Sequence, residues 1–248
     1  MTGLFNTRIT LSQLFRGLCG LAGLAVAYGI YLVTQDYARG REALAQMCEA
    51  SGGLTVYESV FATGYREAQR PGTCLNCPAE FVGKKLADFI EFESSDGARP
   101  FLEPGEYRVS LAEDSDPRCA VYTRLRERPH YSLRSPAEYG HGLDIHQCFA
   151  FERIDQPMAR YSFWSRSGRV TAANGYGLTV QEWIVSELPS QRILAANRNY
   201  AFYPKIGPYL DESGGGGTQD SSCESRNPRG IVRLDDMLRR VLRDETKR

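Results

Sequence analysis

The most distinct pattern along the chain is an uninterrupted apolar run. From Gly17 to Val33 no residue carries a charge, and adding Leu14, Phe15 and Arg16 gives a segment of 20 residues. At 1.5 Å of rise per residue such a helix is roughly 30 Å long, the hydrocarbon thickness of a bilayer, and the Arg16 stem reaches toward the headgroups. Arg8 and Arg16 precede the run with no acidic residue among them, whereas Asp36, Arg39, Arg41 and Glu42 follow it with mixed sign. That asymmetry predicts residues 1–13 in the cytoplasm and residues 14–33 crossing the inner (cytoplasmic) membrane once, with the bulk of the chain in the periplasm or outside the cell. Ala25-Val26-Ala27 has the small-x-small form that signal peptidase prefers. Cleavage there would leave Tyr28–Val33 as an apolar new terminus, so the segment reads as an uncleaved signal-anchor.

Beyond the run the helical pattern continues. No proline interrupts Thr34–Ser51, Tyr37, Leu44, Met47 and Cys48 fall along one side, and Gly52-Gly53 supplies a stop, which predicts a stalk helix over residues 34–53. The period then shortens from helical to alternating. Leu54–Val60, Phe89–Ser94, Glu106–Leu111, Cys119–Leu125, Gln147–Ile154, Arg160–Trp164, Leu178–Leu188 and Gln191–Tyr203 read as strands. Turn signals separate them at Pro71-Gly72, Asp96-Gly97, Pro104-Gly105, Asp116-Pro117, Ser167-Gly168, Asn174-Gly175 and Pro189-Ser190. Asn-Gly between apolar runs is the strongest hairpin cue of these. Ala79–Ile90 is a short helix candidate, and Arg126–Leu143 reads as a long polar loop. Residues 54–212 are thus expected to form an antiparallel meander, followed by a Gly-rich linker over 213–222. In the segment 223–248, Ile231, Leu234, Leu238 and Val241 make a helical stripe that predicts an amphipathic helix packed on the domain. The fold class read from these periods is α+β.

Composition narrows the setting. Apolar content of 42% and charged content of 24% are those of a folded chain. The net charge is zero, but residues 35–223 carry 20 basic and 25 acidic side chains, a balance of −5. That excludes the concentrated basic face of a nucleic-acid binder. Arg outnumbers Lys 26 to 4, as in a GC-rich bacterial genome. Six cysteines lie beyond the apolar run, namely Cys48, Cys74, Cys77, Cys119, Cys148 and Cys223. An even number spread over an exported domain predicts a disulfide framework, although six cysteines leave 15 pairings open.

Two groups of residues carry candidate chemistry. Cys74-Leu75-Asn76-Cys77 precedes Pro78 and a helix candidate, and a Cys-x-x-Cys pair at a helix start favours the reactive thiolate. Here a turn precedes the pair, where a thioredoxin-like unit would have a strand, so the simpler reading is two structural cysteines. His141, Asp144 and His146, with Cys148 close by and His130 upstream, offer zinc- or copper-type ligands in a loop. Their spacing matches no established zinc pattern, and no cofactor is implied. The chain has no Gly-x-Ser-x-Gly elbow, no phosphate-binding Gly-rich loop and no His-Glu-x-x-His. The expectation is therefore a non-enzymatic envelope or assembly component, holding the membrane through 14–33 and a protein partner, or a second copy, through its domain. The alternative is a periplasmic thiol-redox or metal-binding protein using Cys74/Cys77 or His141/Asp144/His146. The small residues Cys19, Gly23 and Ala27, one turn apart, suit close helix approach. In coarse plan the layout resembles a type IV pilin, a membrane helix running into a stalk beneath an antiparallel sheet. That family's Gly-Phe processing site and early helix Glu are missing, since nothing between Gly3 and Val33 is acidic.

Overall fold

The computed structural model describes residues 11–68, 77–95, 102–127, 135–139, 146–203, 222–223 and 232–243. Helix α1 runs unbroken from Leu11 to Ser51, 41 residues with no proline. It stops where the Gly52 N–H donates to the Cys48 carbonyl and Gly53 takes φ +86°, a conformation open to glycine at little cost. Strands β1 (Gly53–Val56), β2 (Val60–Phe61) and β3 (Gly64–Glu67) follow, then α2 (Cys77–Gly83), β4 (Phe89–Ser94) and β5 (Gly105–Glu113). After a 3-10 turn at Pro117–Cys119 come α3 (Ala120–Arg126), a second 3-10 turn at Pro136–Tyr139, and β6 (Gln147–Arg153). Strands β7 (Tyr161–Thr171), β8 (Gly177–Glu187) and β9 (Ile193–Ala201) complete the sheet, and α4 (Leu234–Val241) leads into β10 (Leu242–Arg243).

Eight strands form one sheet in the order β1-β9-β8-β7-β3-β4-β5-β6, and β10 pairs with β2 in parallel. Most pairings are antiparallel, but the short central strand β3 is parallel to both of its neighbours, β4 and β7. The meander expected from the turns therefore holds as two antiparallel blocks, β4–β5–β6 and β7–β8–β9, joined through a strand that turn chemistry does not mark. Gly64 opens β3 because a Cβ there would lie 2.5 Å from the Phe89 ring.

Three further expectations are corrected. Residues 119–125 are helical, not extended, because Asp116 accepts the Arg118 N–H at 2.8 Å as an N-cap and Pro117 occupies the first turn. Ser167-Gly168 is no turn but lies inside β7, whose eleven residues pair continuously with β8. The helix at residue 79 ends by Gly83, and the Phe89–Ile90 part of that candidate belongs to β4. Asn174-Gly175 does make the hairpin turn: Gly175 has φ +79°, its N–H reaches the Ala172 carbonyl, and Asn174 Oδ1 accepts from the Tyr176 N–H. Of the linker at 213–222, residues 213–221 lie outside the described residues, and Ser222 makes an isolated antiparallel bridge to Ala201.

Directly paired residues share a face, so the register sorts the sheet into two surfaces. One carries Tyr65, Ile90, Val109 and Phe151 in a row and Phe163, Val185 and Ala195 in another. Helices α2 and α4 close over it with Phe81, Val82, Met237, Leu238 and Val241, all buried. The opposite surface carries charge across most of its width. Near the β7–β8 turn it becomes apolar, and there Ala43, Leu44 and Cys48 of α1 pack on Leu178, Tyr200 and Phe202.

Candidate functional site

Three places on the molecule carry groups with something to bind or to do: the cysteines and histidines, the charged surface of the sheet, and the two ends of the sheet.

Two disulfides are formed, Cys48–Cys223 and Cys119–Cys148. The first joins residues 175 apart in sequence and ties the last turn of α1 to the chain beyond β9. The second, 29 residues apart, ties the 3-10 turn before α3 to β6. Cys74 lies outside the described residues, and Cys77 is described only as the first backbone position of α2. His141 and Asp144 also lie outside them. His146 is an exposed turn residue whose carbonyl accepts the Asp114 N–H before β6 begins. Cys148, two residues on, is spent in its disulfide and supplies no thiolate. Among the described residues no three His, Cys, Asp or Glu side chains converge as metal ligands. Cys19 is the free cysteine among them, exposed on the apolar half of α1.

The charged surface follows from register. Arg66, Glu91, Arg108 and Glu152 stand directly opposite one another on β3, β4, β5 and β6, alternating in sign. Arg166, Glu182 and Arg198 repeat the alternation on β7, β8 and β9. Glu91 is fully buried, and its carboxylate accepts from Arg108 Nη2 at 2.6 Å, from the Met158 N–H at 3.0 Å and from the Ala159 N–H at 2.9 Å. Glu182 sits between Arg166 at 2.6 Å and Arg198 at 2.5 Å. Each carboxylate is satisfied by its neighbours, which makes these pairs strand connectors. For the buried Glu91–Arg108 pair, removing one partner costs about 3–5 kcal/mol, because a charge is left uncompensated. Arg166 is instead 61% exposed, and water screens its pair with Glu182. The sequence offered no local signal for them: Phe89-Ile-Glu-Phe-Glu-Ser alternates and puts Glu91 on the side where an exposed residue is expected. What buries it is the 154–160 segment folding back across the sheet.

The ends of the sheet differ in chemistry. At the end near the β7–β8 turn, α1 is docked. At the other end, Glu187 of β8 accepts from Arg160 Nη2 at 2.6 Å and from Ser190 Oγ at 2.7 Å. The Ser190 hydroxyl and the Arg160 guanidinium hold its carboxyl below the usual glutamate range. Beside it a cavity of about 270 Å³ lies between the Phe61–Gly64 turn, Phe89 and the Met158–Tyr161 segment. Its volume falls just short of the range of small-molecule sites, roughly 300–1,000 Å³, and Thr63, Arg160 and Tyr161 line it beside Phe61, Phe89 and Met158. Val56, Tyr57, Phe61, Met158 and Ile193 are exposed at this same end, Met158 to 67%. Within the core, Tyr65 is buried and burial pushes its phenol well above the usual tyrosine range, so it stays protonated.

Helix α1 has the sharpest division. Residues 16–31 are exposed on every side, including Leu18, Leu21, Leu24 and Ile30 at 61–69%. This one helix is long and apolar enough to cross a membrane. Its later turns are instead buried along one side: Gly40 lies so close to Phe202 that a Cβ would come within 2.5 Å of the ring. Tyr37 meets the same ring edge-on at 5.3 Å, and Ser51 Oγ and Tyr200 Oη share a 2.8 Å hydrogen bond.

Comparison with protein families, with curated proteins and with solved structures finds no match. The functional reading therefore rests on this chain's own residues.

Proposed function

We propose that the protein is a single-pass, membrane-anchored component of a bacterial envelope, with its N-terminus in the cytoplasm, whose outer domain acts by contact with other proteins. The observation that carries this reading is the change of environment within α1. A helix apolar on all sides over residues 16–31 is unstable in water without cover, since each exposed Leu or Ile forgoes about 1.5–3 kcal/mol of burial, and a bilayer supplies that cover. The same helix then enters the folded domain with no break and is bolted to it by Cys48–Cys223. Two disulfides suit an oxidising compartment such as the periplasm. The far end of the sheet, with Phe61 and Met158 exposed around a shallow cavity, is the surface best suited to a protein partner.

The test is site-directed photocrosslinking in intact cells from Met158 and from Phe61. A discrete protein adduct that survives in membranes washed with alkaline carbonate is the expected result. Adducts with lipid alone, or none, at both positions would overturn the contact role.

A further inference from the structure

The place where the domain grips α1 lies close to where that helix would leave a bilayer. The apolar run ends at Val33, so Asp36 and Arg39 stand about 4.5 and 9 Å further along the axis at 1.5 Å per residue. The headgroup layer is roughly 5–7 Å deep on each side of the hydrocarbon. At these two residues the domain is already in contact: Tyr176 Oη donates to Asp36 Oδ2 at 3.3 Å, and Asn174 Nδ2 donates to the Arg39 carbonyl at 3.2 Å. Asn174 belongs to the β7–β8 turn, and that turn is therefore carried at the outer edge of the headgroup layer.

Its surroundings have the composition of a bilayer's polar boundary. Ala173, Asn174 and Gly175 are exposed at the turn, and Tyr203, 58% exposed, emerges beside it with its carbonyl accepting from Tyr176 Oη at 3.3 Å. Tyr31 is exposed on α1 two residues before the end of the apolar run, and Arg39 is exposed at the level of the turn. Arg41 lies over the Tyr37 ring at 5.9 Å. Tyrosine rings gather at membrane–water interfaces because one end is apolar and the other polar, and arginine stems extend to phosphate level. The packing of Gly40 on Phe202 and the Cys48–Cys223 bridge leave no free hinge between helix and sheet.

We propose that the β7–β8 turn, together with Arg39 and Tyr203, is a foot that rests on the outer edge of the lipid headgroup layer of the membrane crossed by the chain's own helix. The foot fixes the height and the tilt of the domain, and it turns the end bearing Met158 away from the membrane. This inference rests on the anchoring reading given above.

The experiment uses the full chain in a Cys19→Ser, Cys74→Ser, Cys77→Ser background, reconstituted in phosphatidylcholine vesicles that carry a nitroxide on the headgroup or at mid-chain. An environment-sensitive fluorophore is placed in turn on Ala173→Cys, Met158→Cys and Leu24→Cys. Tyr161 and Thr171, at the two ends of β7, are ten residue steps apart, about 33 Å along the strand. The fluorophore at Ala173 should therefore lose its emission to headgroup nitroxide while that at Met158 keeps it, and Leu24 should respond to the mid-chain nitroxide. If Leu24 responds but Ala173 is quenched no more than Met158, the anchor stands and the foot is overturned. If Leu24 responds to neither nitroxide, the anchoring reading falls and the foot with it.

Discussion

Along α1, the turns from Arg16 to Tyr31 are open on every side, whereas from Gly40 to Cys48 one side is closed by the sheet and the other stays wet. Both stretches are equally helical, and Gly appears in both. In the inner stretch Gly23 has nothing within 4 Å of where a Cβ would sit, while in the outer stretch Gly40 faces an aromatic ring at 2.5 Å. Helix formation is thus separate from what the helix is for. An all-round apolar surface demands a solvent change, while a one-sided surface demands a partner element. The polar residues that begin the outer half, Asp36 and Arg39, are also the first that the domain binds.

The largest effect should come from breaking the inner half. Leu24→Asp moves an apolar side chain to a charged one at the centre of the run, a change of about 3–4 kcal/mol in membrane insertion. Paired with Leu21→Asp, it should shift the chain out of carbonate-washed membranes and leave the domain's melting temperature unchanged, since neither side chain is buried in the domain. A lowered melting temperature would mean that the two halves are not independent.

Next come changes to the outer half. Loss of Cys48–Cys223 through Cys48→Ser should cost about 2–4 kcal/mol in denaturant unfolding under oxidising conditions. By chain entropy alone, loss of Cys119–Cys148 through Cys119→Ser should cost about 1.5 kcal/mol less, because its loop spans 29 residues against 175. Gly40→Leu should cost about 1–3 kcal/mol by forcing Phe202 aside, with membrane retention intact, whereas Gly23→Leu should leave the domain's stability untouched. Equal effects at Gly40 and Gly23 would erase the distinction between the halves.

The smallest effect concerns pH, at the end of the sheet farthest from α1. The Glu187 carboxyl is held below the usual glutamate range in the folded chain. Its contribution is therefore fully present above the unfolded value, about pH 4.3, and is lost as pH falls through the lower folded value. Glu187→Gln should flatten that part of the acid unfolding curve. Asp116, lowered to about 2 by its hydrogen bonds from Arg118, should act in the same direction at lower pH. An unchanged acid limb in Glu187→Gln would show that Arg160 and Ser190 do not favour the charged form.

Much of the local structure was legible in the sequence because it depends on nearest neighbours. Asn174-Gly175 marked its hairpin, Gly52-Gly53 marked the end of α1, and Leu234, Leu238 and Val241 marked a helix that packs. Residues 119–125 misled because Tyr122 and Leu125 suit a strand as well as a helix, and only the Asp116-Pro117 cap decides between them. Strand β3 went unread because four residues, Gly-Tyr-Arg-Glu, carry too little period to stand out. The charge ladder was invisible for a different reason. Glu91, Arg108 and Arg66 lie far apart in sequence, and nothing local says that they share a row.

By itself the sequence determined the apolar run, its length and charge asymmetry, the antiparallel blocks and the even number of cysteines beyond that run. All of these follow from side-chain chemistry at fixed local spacing. Tertiary structure alone decided which cysteines pair, that β3 joins the two blocks in parallel, that Glu91 is buried, and that the outer half of α1 lies on the sheet. Each of those is a contact between residues tens of positions apart, and strand order and register set such contacts.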